Sequence, residues 1–149
     1  HMIGHLQTNK VKYIAPFISL IHSVDSIRVL KEINKRAKEN NRIISCLLQV
    51  HIAKEKTKYG FEIYEVEKII ENSEEFKNIK ISGIMAMATF TDKTEQINKE
   101  FSLINALFKM INQKEIDILS IGMSGDYQQA INNGSTMIRV GSAIFGKRN

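Results

Sequence analysis

The sequence predicts an α/β fold built on a parallel sheet, and three features predict it. Strand-length apolar runs alternate with helix-length amphipathic stretches along the chain. One run, Ile43 to Ile52 (IISCLLQVHI), is almost unbroken, which suits a strand buried on both faces. Two small-residue corners, Gly122-Met123-Ser124-Gly125 and Gly141-Ser142, directly follow the last two strands. Repeated strand–helix order with short links calls for right-handed crossovers between parallel strands. A doubly wound sheet and a (β/α)8 barrel lacking its first two βα units both satisfy that order. No Gly-x-Gly-x-x-Gly follows a strand, which weakens the dinucleotide-binding version of the former. The paired corners favour the barrel, because barrels bind phosphate with the loops after strands 7 and 8. Counted backward from these corners, the visible strands are 3 to 8.

Six strands are expected. The first is His1 to Leu6, followed by a short helix capped at Asn9 and stopped near the only proline, Pro16. The second, Ile18 to Ser23, precedes a helix capped by Asp25 or Ser26, with Ile27, Leu30, Ile33 and Ala37 toward the sheet. Ile43 to Ile52 is the third, with Gln49 and His51 on one face. The loop Ala53 to Gly60 carries three lysines and reads as an exposed connector. Ile63, Val66 and Ile70 mark a helix, and Ile79 to Met87 is the fourth strand. A long helix starts at Thr91-Asp92, with Glu95 at capping-box spacing and an apolar stripe Ile97, Phe101, Ile104, Phe108, Ile111. Ile116 to Gly122 and Met137 to Val140 are the last strands. Between them lies a short helix capped by Asp126, packing Ala130 and Ile131 inward and ending at Gly134.

The 149 residues suit one domain. With 43% hydrophobic and 25% charged residues the composition is that of an ordinary globular protein. No apolar run reaches the ~20 residues of a membrane span, no secretory leader pattern opens the chain, and one cysteine, Cys46, excludes an intrachain disulfide. Cys46 lies in an apolar run and reads as a buried thiol. These features point to the cytoplasm. The net charge of +5 is spread among glutamates on helical faces, as with Glu32 and Arg36 at i,i+4, so nucleic acid is not expected.

If the two corners lie at one end of the sheet, their backbone N–H groups can converge on one anion, helped by a helix N-terminus. The alternative is a pair of tight turns that use glycine for its backbone freedom.

Three segments then resemble one known family. His1-Met2-Ile3-Gly4-His5-Leu6-Gln7-Thr8-Asn9-Lys10, Ser120-Ile121-Gly122-Met123-Ser124-Gly125-Asp126, and the run Gly134-Ser135-Thr136-Met137-Ile138-Arg139-Val140-Gly141-Ser142-Ala143-Ile144-Phe145-Gly146 are similar to signatures of the pyridoxal-phosphate homeostasis (proline-synthase-associated, YggS) family. The resemblance implies a barrel of the alanine racemase N-terminal-domain type and pyridoxal 5′-phosphate as cofactor. It implies that Ser124, Gly141 and Ser142 cradle the cofactor phosphate, that Met123 lines the ring pocket, and that Arg139 lies beside the pyridine nitrogen. A permanent cation there disfavours protonation of that nitrogen and leaves a poor electron sink. The implied role is therefore a non-catalytic, cytoplasmic carrier in cofactor homeostasis, with no metal.

The family's cofactor-linking lysine belongs to a first strand that no segment here matches, so no lysine is carried over. Lys58 fits a Lys-x-Gly found in the family and is a candidate second amine near the barrel mouth. Two other functions stay open: a racemase or decarboxylase of the same barrel type, and a phosphate-binding or protein-interaction module. A six-stranded barrel segment would be a partial pyridoxal-phosphate-binding domain over residues 1–149, with open edges that favour self-association, whereas the full form is expected to be a monomer.

Overall fold

The computed structural model describes residues 1–54, 59–111 and 115–146. Lys58 lies outside the described residues. Five parallel strands, β1 (Leu20–Val24), β2 (Ile44–Val50), β3 (Ile79–Ala86), β4 (Ile118–Met123) and β5 (Met137–Arg139), pair in sequence order, β1-β2-β3-β4-β5. Consecutive parallel neighbours joined by helices are what the strand–helix alternation requires.

The expected first strand is reduced to one parallel bridge. Met2 N–H donates to Leu20 O and Met2 O accepts from His22 N–H, both at 2.9 Å. Beyond it the chain bends at Gly4, whose carbonyl accepts from the Ser23 hydroxyl instead of extending the ladder. A single turn of 3₁₀ helix (Thr8–Lys10) then leads into α1 (Val11–Ile14), so Asn9 lies inside a turn and caps nothing.

The helices are α2 (Ile27–Glu39), α3 (Ile63–Glu71), α4 (Thr94–Ile111), α5 (Tyr127–Asn132) and α6 (Ser142–Phe145). Ser26 caps α2 by accepting from Val29 N–H. Leu30, Ile33 and Ala37 are buried as expected, but Ile27, the first residue of the helix, is 39% exposed and Val29 is buried instead. The α4 stripe Ile97, Phe101, Ile104, Phe108 and Ile111 is buried throughout. That helix begins at Thr94, later than the Asp92 start suggested by capping-box spacing. In α5 only Ala130 is buried and Ile131 is 53% exposed, since a helix of six residues presents one short face to the sheet.

The sheet is curled. His22 in β1 and Ser120 in β4 hydrogen-bond at 3.0 Å although β2 and β3 lie between them. Three strand spacings in a flat sheet amount to about 14 Å, more than these two side chains can span. The curvature gives two apolar layers. Alternate residues of β2, Cys46 and Leu48, join the large cluster under the helices, with Val29, Ile33, Ile84, Phe101 and Leu119. Leu47 faces the concave side with Leu20 and Met85, where Met87, Ile118 and Met137 pack against them. The Cys46 thiol is fully buried and burial pushes its pKa up, as its apolar run suggests. Gly83 lets β3 and β4 meet at this point: a Cβ there would sit 1.9 Å from Ile118 O. This architecture is a parallel half-barrel.

Candidate cofactor site

Because all strands are parallel, the loops after β4 and β5 emerge at the same end. Gly122 turns the chain with φ +94°, and a Cβ on it would lie 2.5 Å from Ala130 Cβ. This tight turn presents Ser124 to the next loop. Ser124 Oγ accepts from Gly141 N–H at 3.1 Å and from Ala143 N–H at 3.3 Å. The two corners therefore meet, but both amides come from the second corner; the first contributes the Ser124 hydroxyl, while its Met123 N–H is taken by Asp126 Oδ1. The contribution expected from a helix N-terminus is small, because α5 and α6 have six and four residues. The donors are individual amides and the Ser124 hydroxyl. Asp126 precedes α5, but its carboxylate turns back to accept Met123 N–H at 2.6 Å and so holds the corner instead of capping the helix.

Arg139 ends β5, in register with Met123. Its side chain enters the concave interior, and the residue is only 8% exposed. Nη1 donates to Ser120 O and Ser120 Oγ, both at 2.7 Å, and Nη2 donates to Ala86 O at 3.0 Å. Burial lowers its pKa to about 10, and Asp126 opposes that shift, so the side chain stays cationic at neutral pH. Met123 is 40% exposed at the rim. Ser142 opens α6, immediately after Gly141, and is exposed. The five residues singled out in the sequence thus fall on two adjacent strand ends.

The sequence reading left Ser120 and His22 without a role. A regular signal marks them. Leu20/His22, Leu47/Gln49, Ile118/Ser120 and Met137/Arg139 are i,i+2 pairs, apolar first and polar second, on the concave face. The concave side therefore has an apolar floor and a polar layer toward the strand ends that carry the corners. Gln49 donates to Tyr59 O at 2.8 Å, and His51 sits beyond the strand, 3.9 Å from a Glu62 carboxylate oxygen. At the opposite strand end, a groove of about 570 Å³ is lined by Ile43, Phe76, Ile79 and Ile116. Its charged residues, Glu74, Lys77, Lys80 and Glu115, are exposed, and Lys80 Nζ lies 3.9 Å from a Glu115 carboxylate oxygen. It offers nothing comparable to the corner.

The donor set suits a phosphorylated aromatic cofactor. Added Cβ atoms at Gly125 and Gly141 would meet nothing within 4 Å, so the cradle has open space beside its amides. The interior supplies a cation whose hydrogen bonds go to carbonyls and a hydroxyl. Among the described residues no group of three or more His, Cys, Asp or Glu could hold a metal.

The family model of the alanine racemase N-terminal domain matches residues 2–149. A pyridoxal phosphate homeostasis protein of Aquifex aeolicus is 37% identical, over 99% of this chain and 66% of its own length. Another, of Synechocystis, is 34% identical, over 99% and 69%. The chain belongs to the alanine racemase N-terminal domain family, among its pyridoxal phosphate homeostasis proteins. PipY of Synechococcus elongatus PCC7942 superimposes with a TM-score of 0.88 at 27% identity in its structure without PLP, over 96% of this chain and 68% of that one. The TM-score is 0.84 for its structure with PLP bound. The alanine racemase of Clostridium difficile 630, at 16% identity over 97% of this chain and 38% of that one, shares the fold with a TM-score of 0.74. The chain spans about two thirds of the Aquifex homeostasis protein. Among the described residues no helix is long and apolar enough to cross a membrane.

Proposed function

We propose that this chain binds pyridoxal 5′-phosphate and serves cytoplasmic homeostasis of that cofactor, holding it rather than transforming substrates with it. The observation that carries this reading is the meeting of Gly141 N–H and Ala143 N–H on Ser124 Oγ, beside a buried Arg139. Neutral hydroxyls and converging amides hold a phosphate dianion without permanent charge. When bound, the cofactor would supply an electrophilic carbonyl and a ring able to delocalise electrons. Ser124, Gly141 and Ser142 would take its phosphate, Met123 would face its ring, and Arg139 would approach its ring nitrogen. A cation at that nitrogen weakens the ring as an electron sink, which favours holding over catalysis.

In the same reading, the five strands and the Met2 bridge are the last six strands of an eight-stranded barrel, and residues 1–149 form one partial domain. Among the described residues the outer side of β5 has no strand partner and β1 has only the Met2 bridge on its outer side, which supports this, and the remaining third of the Aquifex relative is enough chain for two βα units of roughly 30 residues each.

Calorimetric titration tests the binding claim. Pyridoxal phosphate should bind once per chain and far more tightly than pyridoxal, and Ser124→Ala should weaken only the phosphorylated ligand, by about tenfold, the worth of a hydrogen bond to a charged group. Equal binding of both ligands, unmoved by Ser124→Ala, would reject the site. Tight inorganic phosphate binding with no gain from the pyridoxal moiety would favour a simple phosphate-binding module.

A further inference from the structure

The concave face carries a feature that the phosphate corner does not explain. Arg139 has only donors to offer. Ser120 Oγ accepts one of them at 2.7 Å, so the Ser120 hydroxyl proton is left for a different acceptor. His22 Nδ1 lies 3.0 Å from that oxygen. If Nδ1 accepts, His22 carries its proton on Nε2, which lies 3.2 Å from His1 Nδ1. In that arrangement every bond runs away from Arg139, the one member that can only donate, and the Ser120 hydroxyl proton has a buried acceptor. We propose that His22 and Ser120 are positioning residues for Arg139, forming a one-way hydrogen-bond relay from Arg139 through Ser120 and His22 to His1 that orients the guanidinium without neutralising it. The proposal rests on the cofactor reading above and extends it to residues from a third strand and the first segment.

Burial makes the relay consequential. Ser120 is 0% and His22 1% exposed, so each polar atom there must find a partner inside the protein or remain unsatisfied at high cost. A carboxylate in place of Ser120 would hold Arg139 more strongly but would cancel its charge. The acid that acts on Arg139, Asp126, is committed to Met123 N–H. The relay works only with neutral His22, since an imidazolium has no lone pair at Nδ1. Burial, then the charge of Arg139, hold the His22 pKa down at about 4. The titratable groups facing it are the His1 ring and Arg139.

Nitrogen-15 NMR of the ligand-free protein at pH 7 reads the relay directly. The expected result is His22 in the Nε2–H tautomer, with Arg139 side-chain protons that exchange faster in His22→Leu and recover in His22→Asn, whose Oδ1 can accept from Ser120. Equilibrium dialysis gives the ligand arm. His22→Leu should weaken pyridoxal phosphate about tenfold, and His22→Asn should restore most of that loss. Inorganic phosphate, held at the Ser124 corner, should bind both variants like wild type. An Nδ1–H tautomer, equal loss in the two variants, or a parallel loss of phosphate binding would overturn the proposal. If wild-type protein takes no pyridoxal phosphate, the functional reading fails, while the tautomer and Arg139 exchange still decide the relay.

Discussion

His22 and Ser120 touch at 3.0 Å across a sheet in which two strands separate them. That single contact requires the sheet to curl, and it brings β1, β4 and, through Arg139, β5 to one point on the concave side. Ala86 O adds β3, since it accepts from Arg139 Nη2. The polar layer is therefore a product of curvature: laid flat, the same strands would leave Arg139 and His22 with no common partner.

Gly83 is one condition of that curvature. Its ideal Cβ would fall 1.9 Å from a backbone oxygen, that of Ile118, which cannot rotate away. Gly83→Ala should force β3 and β4 apart and cost about 3 kcal/mol, at the upper range of overpacking. Urea unfolding measures this, and a loss below 0.5 kcal/mol, the level of an ordinary surface change, would contradict the close approach.

Acid should weaken the fold through His22. Its ordinary pKa of 6.5 applies in the unfolded chain, and the folded value is about 4. The unfolded state therefore binds the proton first as pH falls. The His22 contribution is neutral above about pH 6.5, grows increasingly unfavourable from there to pH 4, and levels off below, at about 3 kcal/mol. Unfolding free energies of wild type and His22→Asn should converge across that window. Parallel curves would show that His22 titrates normally.

Glu100 is the other buried charge with a clear structural task. Its carboxylate accepts Thr89 N–H and Thr89 Oγ–H at 2.7 Å and Gln96 Nε2–H at 3.1 Å, and Thr89 Oγ1 in turn accepts Lys54 N–H. One side chain of α4 thus ties down the loops after β2 and β3. Glu100→Ala removes the acceptor of three half-buried donors and should cost about 1–3 kcal/mol. Amide exchange should rise at Thr89 and Lys54 first. Unchanged protection at both would contradict the clamp.

Much of this was legible in the residues. The unbroken apolarity of β2 announced burial on both faces, the α4 stripe gave its inward face, and the two corners gave the end of the sheet that matters. The sequence was silent where a residue's role depends on another strand. Nothing local tells that Arg139 donates to Ala86 O, or that Glu100, flanked by stripe residues Ile97, Phe101 and Ile104, turns its carboxylate to Thr89. Asp126 had the spacing of a cap, yet its carboxylate found the nearer Met123 N–H. The first segment had the composition of a strand, but one bridge at Met2 and the bend at Gly4 end its pairing.

The convergence of the two corners on a phosphate is tested most directly by following backbone amides while pyridoxal phosphate is added to the nitrogen-15-labelled chain. The Gly141 and Ala143 resonances, which now report bonds to Ser124 Oγ, should move downfield together and saturate at one ligand per chain. Signals from the distant groove at Ile79 and Ile116 should stay still. Saturating shifts elsewhere with Gly141 and Ala143 unmoved, or no shift at all, would contradict the assignment of this corner as the cofactor's phosphate site.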